Sequence, residues 1–303
     1  MSNSYNSFIP KKYNLPKKTR KKVIKGSLFT PKSISKTSFE GIGEDLFFAY
    51  QYLIDKYDFF YMPIGNFKKE FIMWDIVTSW KFVDNRFKLS LPKSLYEFIK
   101  DIQYIFKYKT KKFILLPLYL GYKNKEYGHF NLAIIDVYHK TFERFEPYGY
   151  SYNKKIHYQV NKKIIKIFKK AGIRITQIPI NKNLPKISFQ EIEEQEIKNS
   201  IASIKNSDPG GFCGAWIIFY AELVLKNKNI KRKSLTKKII KSIKRRKTFR
   251  KFIRNYAGKL SDYRKKMLKN VSNECGLSLK AQDYENCTNE YIINFFDNKN
   301  MLE

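Results

Sequence analysis

Residues 212–227, FCGAWIIFYAELVLKN, would be apolar on every side of a helix, and a helix without a polar face reads as a buried, central one. Gly210 and Gly211, which follow Asp208 and Pro209, let the backbone turn sharply into it. The chain has 303 residues, 43% of them hydrophobic and 17% aromatic. That length allows one large or two modest domains, and the apolar fraction is ample for a core. Wholesale disorder is excluded. No stretch approaches the ~18 consecutive apolar residues of a membrane span, and the N-terminal MSNSYNSFIPKKYNLPKKTRKK has no apolar signal-peptide core. The expectation is a protein without membrane contact, made and kept in a cytosol or similar compartment. The three cysteines, Cys213, Cys275 and Cys287, are an odd number without C-x-x-C spacing. That suggests neither a disulfide scaffold nor a zinc site, so free thiols are expected.

The formal net charge is +33, with 60 Lys plus Arg against 27 Asp plus Glu. The excess is local. Residues 1–37 hold 10 basic side chains and no acid, and residues 226–270 hold 20 with Asp262 as the one acid. The other 221 residues carry a net of only +4. Segments of this kind usually meet polyanions, because each phosphate contact releases condensed counterions. Lys244, Arg245, Arg246 and Lys247 are the candidate contacts. The competing explanation is an A/T-rich coding sequence, which favours Lys, Ile, Asn, Tyr and Phe throughout. It explains less well why acids vanish from two segments.

Residues 1–37 read as a flexible basic arm, and a globular body begins near Phe39. Leu46, Phe47, Tyr50, Leu53 and Ile54 recur at helical period within 43–57, and a second short helix is predicted over Leu95 to Ile105. KFILLPLYLG, ending in Gly121, is a buried strand. HFNLAIIDV and KTFERFEPYG, separated by Tyr138 and His139, form a β-hairpin. A helix over Lys154 to Ala171 and a strand over 174–180 follow. Asn181 to Asp208 is polar and irregular, with a helix expected from Ser188. Beyond the apolar helix, Ile239, Ile240, Ile243, Phe252, Ile253, Tyr256 and Leu260 mark a basic amphipathic helix or helix pair. The division expected is an arm (1–37), a body (38–227) and a basic helical C-terminal extension (228–303) packed on the same domain.

Cys213 falls at the start of the apolar helix, where the helix dipole and a neighbouring imidazolium favour a thiolate nucleophile. Such a nucleophile needs a base and a group to orient the base. If the hairpin closes on Tyr138-His139, paired residue numbers sum to 277 and Glu146 lies opposite Asn131. His129 is then on the same face, diagonal to Glu146 and within its reach. A one-residue slip in register would destroy this geometry.

The order His129, Glu146, Cys213, in HFNLAIID, RFEP and DPGGFCGAW, resembles the ubiquitin-like-protein (SUMO) protease superfamily of cysteine peptidases. It looks closest to the branch of large DNA viruses, akin to adenovirus- and poxvirus-type maturation proteases. The resemblance covers about residues 112–227. It implies an α+β, papain-like/SUMO-protease-like fold, in which the Cys-bearing central helix packs on a mixed β-sheet that carries the His and the acid. It further implies a Cys-His-Glu peptidase without a cofactor or metal, acting on a virion precursor or a ubiquitin-like conjugate, in a virion or host cytoplasm. Phe130 stands where many members place a Trp, and Glu146 where Asp or Asn is commoner. The family's oxyanion glutamine, a few residues before the Cys, is missing here. Viral relatives often show a Gln-Glu pair further upstream, and Gln190 in Phe189-Gln190-Glu191 is the candidate.

Each residue also has a plainer reading. A Cys in an apolar helix is usually a small buried hydrophobe, and the glycine turn, Trp216 and the whole motif favour the nucleophile. Of the three histidines, His139 falls in a polar turn and His157 among Lys and Tyr on a predicted surface helix, which leaves His129 as the base. Glu146 has the reading of a solvated strand end. Asp208 reads as an N-cap for the Cys helix. Two other functions compete. Acetyltransferases use the same order of residues, and a basic virion protein with a vestigial protease fold would bind nucleic acid, with Phe249, Phe252 and Tyr256 stacking on bases.

Overall fold

The computed structural model describes residues 39, 44–65, 72–83, 86–121, 128–205, 208–209, 211–246, 248–275, 284–297 and 302. The expected basic arm, 1–37, and Lys247 lie outside these residues. Among the described residues helix α1 (Glu44–Ile54), strand β1 (Phe60–Tyr61), a 3-10 turn (Met73–Asp75), β2 (Thr78–Val83), β3 (Arg86–Ser90), α2 (Leu95–Tyr108) and β4 (Phe113–Gly121) come first. The hairpin β5 (Gly128–Asp136) and β6 (Thr141–Phe145) is next, then α3 (Lys154–Lys170), β7 (Thr176–Gln177), the one-turn α4 (Ile180–Asn183) and α5 (Phe189–Lys198). Four more helices follow among the described residues: α6 (Cys213–Lys226), α7 (Arg232–Lys244), α8 (Phe249–Cys275) and α9 (Tyr284–Asp297).

The fold is α+β, built on one mixed sheet in the order β3-β2-β4-β5-β6-β7, with β1 also pairing β4. β4, β5 and β6 are antiparallel, while β1 and β2 run parallel to β4 and β7 parallel to β6. Both faces are covered, so FILLPLYL of β4 is apolar almost throughout and its side chains alternate between two cores. Phe113 and Leu115 join Trp216, Phe219 and Phe47 on the α6 side. Ile114 and Leu116 join Phe98, Ile102, Val160 and Phe168 on the side of α2 and α3. Helix α6 is buried from Gly214 through Leu225, as a helix without a polar face must be. Leu235, Ile239, Phe252, Ile253 and Tyr256 of α7 and α8 belong to the same cluster as α6.

Helix α2 is set by a capping box: Ser94 Oγ accepts from Glu97 N at 3.2 Å, and Glu97 Oε2 accepts from Ser94 N at 3.1 Å. The strand expected over 174–180 shrinks to Thr176–Gln177, because β7 pairs only with Thr141 and Phe142 and α4 begins right after Pro179. Asp208 is not an N-cap. Phe212 occupies that position without a side-chain cap, and the Asp208 carboxylate is taken by Arg250 and Arg254. Cys287 is disulfide-bonded, not a free thiol, whereas Cys213 is free. Local spacing says nothing about a bond closed between segments brought together by folding.

Candidate active site

Leu132 pairs with Phe145 and Asp136 with Thr141, the register that sums to 277. The next outward row sets Asn131 beside Glu146, and Asn131 Nδ2 donates to Glu146 Oε2 at 2.8 Å. His129, two residues back on β5, places Nε2 2.6 Å from Glu146 Oε1. Tyr148 N also donates to that oxygen at 3.0 Å. The carboxylate is wholly buried, and this set of donors is what keeps an isolated anion tolerable there.

Cys213 is the first residue of α6 and is half-buried, at the positive end of the helix dipole. The imidazole of His129 bonds both Glu146 and the Cys213 sulfur. Burial by itself would lower the His129 pKa, but the Glu146 carboxylate and the bond to Cys213 outweigh it and raise it from 6.5 to about 10. Tyr148 and Tyr152, stacked with ring centroids 4.5 Å apart, stand 5.1 and 5.4 Å from the imidazole and wall it off. The structure therefore brings His129, Glu146 and Cys213 into one contiguous chain of contacts.

Glu146 is followed by a turn that ties the acid to α5. Gly149 N donates to Glu146 O at 3.0 Å, Ser188 N to Tyr148 O and Gln190 N to Pro147 O, both at 2.9 Å. Gly149 has φ +113°, and a Cβ there would stand 2.4 Å from Lys186 O, so only glycine fits. This turn carries Gln190 to the site. Its Nε2 donates to Tyr148 Oη at 3.2 Å and would lie 3.3 Å from a Cβ placed on Gly211, two residues before Cys213. Gln195 instead bonds Glu191 on its own helix.

The loop leading to Cys213 is held from the C-terminal side. Arg254 Nε donates to Asp208 Oδ1 at 2.7 Å, and Arg250 Nη2 to Asp208 Oδ2 at 3.0 Å. Burial works to raise the Asp208 carboxyl, but the bonds from Arg254 and the backbone of Lys205 bring it down to about 2. Glu193 accepts from Trp216 Nε1 at 2.8 Å and from Arg250 Nη1 at 2.5 Å. The basic run 226–270 is thus partly turned inward. Lys226, Lys259 and Lys56 surround buried Glu222, and Arg232 bonds Glu143 at 2.8 Å. Phe249, Phe252 and Tyr256 are buried around Trp216 and Phe219, so they are core and not base-stacking groups. Lys244 and Arg245 are exposed, and Arg246 is half-buried.

His157, read from sequence as a surface residue, is buried, with Nε2 3.1 Å from Glu146 Oε2 but not aligned for a hydrogen bond. A signal was available: Val160, Asn161, Ile164 and Phe168 are the buried residues of α3, and His157 continues their three- and four-residue spacing. Arg144 is also buried and faces the same carboxylate electrostatically. Among the described residues no group of three His, Cys, Asp or Glu is placed to hold a metal ion, and no helix is long and apolar enough to cross a membrane.

No family model matches the chain. The putative ankyrin repeat protein L371 of Acanthamoeba polyphaga mimivirus is 27% identical over 299 residues, covering 88% of this chain and 37% of that protein. The chain therefore spans little more than a third of that relative's length. Among solved structures, the Chlamydia trachomatis effector protein Cdu1 bound to ubiquitin is 11% identical, with a TM-score of 0.37 over 78% of this chain and 96% of that one. ChlaDub1 of the same organism is 12% identical, with a TM-score of 0.37 over 72% and 90%. Likeness at this level leaves the architecture to rest on the elements described above.

Proposed function

We propose that this chain is a cysteine peptidase that hydrolyses peptide or isopeptide bonds with Cys213 as nucleophile, His129 as base and Glu146 as the acid that orients it. One observation carries the reading: a buried imidazole bonded on one side to a carboxylate and on the other to a thiol at a helix start. His129 faces Cys213 as an imidazolium, having taken up the thiol proton in the resting pair, and the thiolate sulfur attacks the scissile carbonyl carbon. The oxyanion accepts from the Cys213 backbone N–H and from Gln190 Nε2. His129 returns the proton to the leaving amine as the C–N bond breaks, leaving a thioester. His129 then deprotonates a water that attacks the thioester, and the acid product leaves with the thiolate and imidazolium restored. Glu146 takes no proton.

The resemblance of HFNLAIID, RFEP and DPGGFCGAW to SUMO-type and viral maturation proteases supplies the substrate class: a virion precursor or a ubiquitin-like protein, cut after a small residue such as glycine. A mimivirus relative fits a viral setting. Exposed Lys244 and Arg245, with residues 1–37, would tether the enzyme to nucleic acid, and the helices of 228–303 would act as part of one domain with the body. The test is labelling by a peptide electrophile ending in glycine at neutral pH. Wild type should be labelled once, at Cys213, and hydrolyse the matching peptide. Cys213→Ala should do neither, and His129→Ala should slow labelling by about 10³-fold or more. Equal hydrolysis by Cys213→Ala would refute the reading.

A further inference from the structure

Among the described residues β3 is the last strand of the sheet on its side, paired with β2, and α3 lies beside it. Between them lies a concave cavity of about 530 Å³, reached by β3, the start of α2 and α3. This is the size of a small-molecule site. Its floor is apolar, made by Phe87, Leu89, Leu91, Leu95 and Ile167. Among the described residues its charged lining is entirely cationic: Arg86, Lys88, Lys93, Lys163, Lys166 and Lys170. Of these, Lys93 is already paired with Asp101 at 2.5 Å, whereas Arg86, Lys163, Lys166 and Lys170 make no ion pair among the described residues.

The arrangement follows from the sequence. Lys163, Lys166 and Lys170 are spaced three and four apart, so one face of α3 aims three ammonium groups at the cavity within ~10 Å of helix, while Ile167 between them faces the floor. Gathering like charges around a low-dielectric floor costs free energy that one multivalent anion offsets. Lysine is a point-charge partner suited to phosphate. The apolar floor demands that the anion also carry a body without charge. A half-open concavity with the volume of a small molecule, and cations converging from two elements, fits a compact phosphate chain better than an extended acidic peptide.

We propose that the cleft between β3 and α3 binds an organic polyphosphate, with its phosphates among Arg86, Lys163, Lys166 and Lys170 and its apolar or aromatic body on Phe87, Leu89 and Ile167. The site is separate from the candidate active site. Leu89 shares a cross-strand row with Trp80, Leu120 and His129, so three strand spacings, ~14 Å, lie between floor and imidazole. The proposal stands whether or not Cys213 is a nucleophile.

The test is calorimetric titration of the full chain with ATP, with sodium tripolyphosphate and with a glutamate-rich peptide, at about 50 and 300 mM salt. ATP should bind, more weakly at high salt, and more tightly than tripolyphosphate by about tenfold, because only ATP covers the floor. Combined Lys163→Glu, Lys166→Glu and Lys170→Glu changes should weaken ATP at least about 100-fold while thermal unfolding and Cys213 labelling stay as in wild type. Lys166→Gln alone should give a partial loss. No heat with ATP at low salt, undiminished binding by the triple variant, tripolyphosphate as tight as ATP, or binding of the peptide in place of ATP would each overturn the proposal.

Discussion

Arg250 and Arg254 on α8 and Arg144 on β6 are all buried, yet they do opposite things with their charge. The α8 pair is spent completely: Arg250 bridges Glu193 and Asp208, and Arg254 adds two bonds to Asp208. Arg144 has no hydrogen-bond partner among the described residues for Nε, Nη1 or Nη2. Burial lowers its pKa to about 9 against the opposing pull of Glu146. On the Cys213 side, charges are neutralised and fix a loop. On the Glu146 side, a cation is left over, and what it contributes is potential at that carboxylate. A buried charge that is paired acts as a fastener, and one that is unpaired acts as a field.

The contrast can be broken most forcefully at Arg250. Arg250→Leu leaves Glu193 and Asp208 short of a buried partner and should cost about 3–5 kcal/mol of stability in urea unfolding. A loss under about 1 kcal/mol would show that the fastener is idle. Glu146→Gln keeps an acceptor for His129 but removes the charge, so kcat/KM for the glycine-ended peptide should fall about 100-fold (about 2.7 kcal/mol) with the fold retained. A wild-type rate in that variant would detach the acid from the proposed mechanism.

A smaller effect is the pH dependence of stability. The His129 pKa is raised from 6.5 in the unfolded chain to about 10 in the native one, so the native state binds the extra proton. Its contribution is complete below pH 6.5 and is lost as pH rises towards 10. The melting temperature should therefore fall between about pH 7 and 10 more steeply in wild type than in His129→Gln; parallel curves would contradict the shift. Smallest of all is Arg144→Met. Removing an unpaired buried charge should change stability by less than about 1 kcal/mol, in either direction, while labelling of Cys213 slows modestly as the field at Glu146 weakens. Destabilisation as large as that of Arg250→Leu would erase the contrast.

Sequence reading succeeded where the physics is local. A two-residue strand period and a polar turn were enough to set the β5–β6 register, and hence the approach of His129 to Glu146. A helix apolar on every side announced its own burial. It failed where a partner is distant in sequence. β2 and β3 are a local exception: RFKLS of β3 alternates polar and apolar residues and pairs with TSWKFV of β2 just before it, yet that strand signal was not recognised. The run 226–270 looked uniformly available for a polyanion because the acids that absorb Arg232, Arg250 and Arg254 lie in β6, α5 and the loop before α6. The Cys287 disulfide and the burial of Arg144 were likewise invisible to spacing alone.

The clamp on Asp208 has a consequence in time. Its arginines come 42 and 46 residues later in the chain. As a nascent polypeptide emerges, Cys213 is therefore made well before the groups that hold its loop in place. The loop before Cys213 gains its two arginine contacts only once α8 has left the ribosome and folded back, so this part of the fold closes late in synthesis.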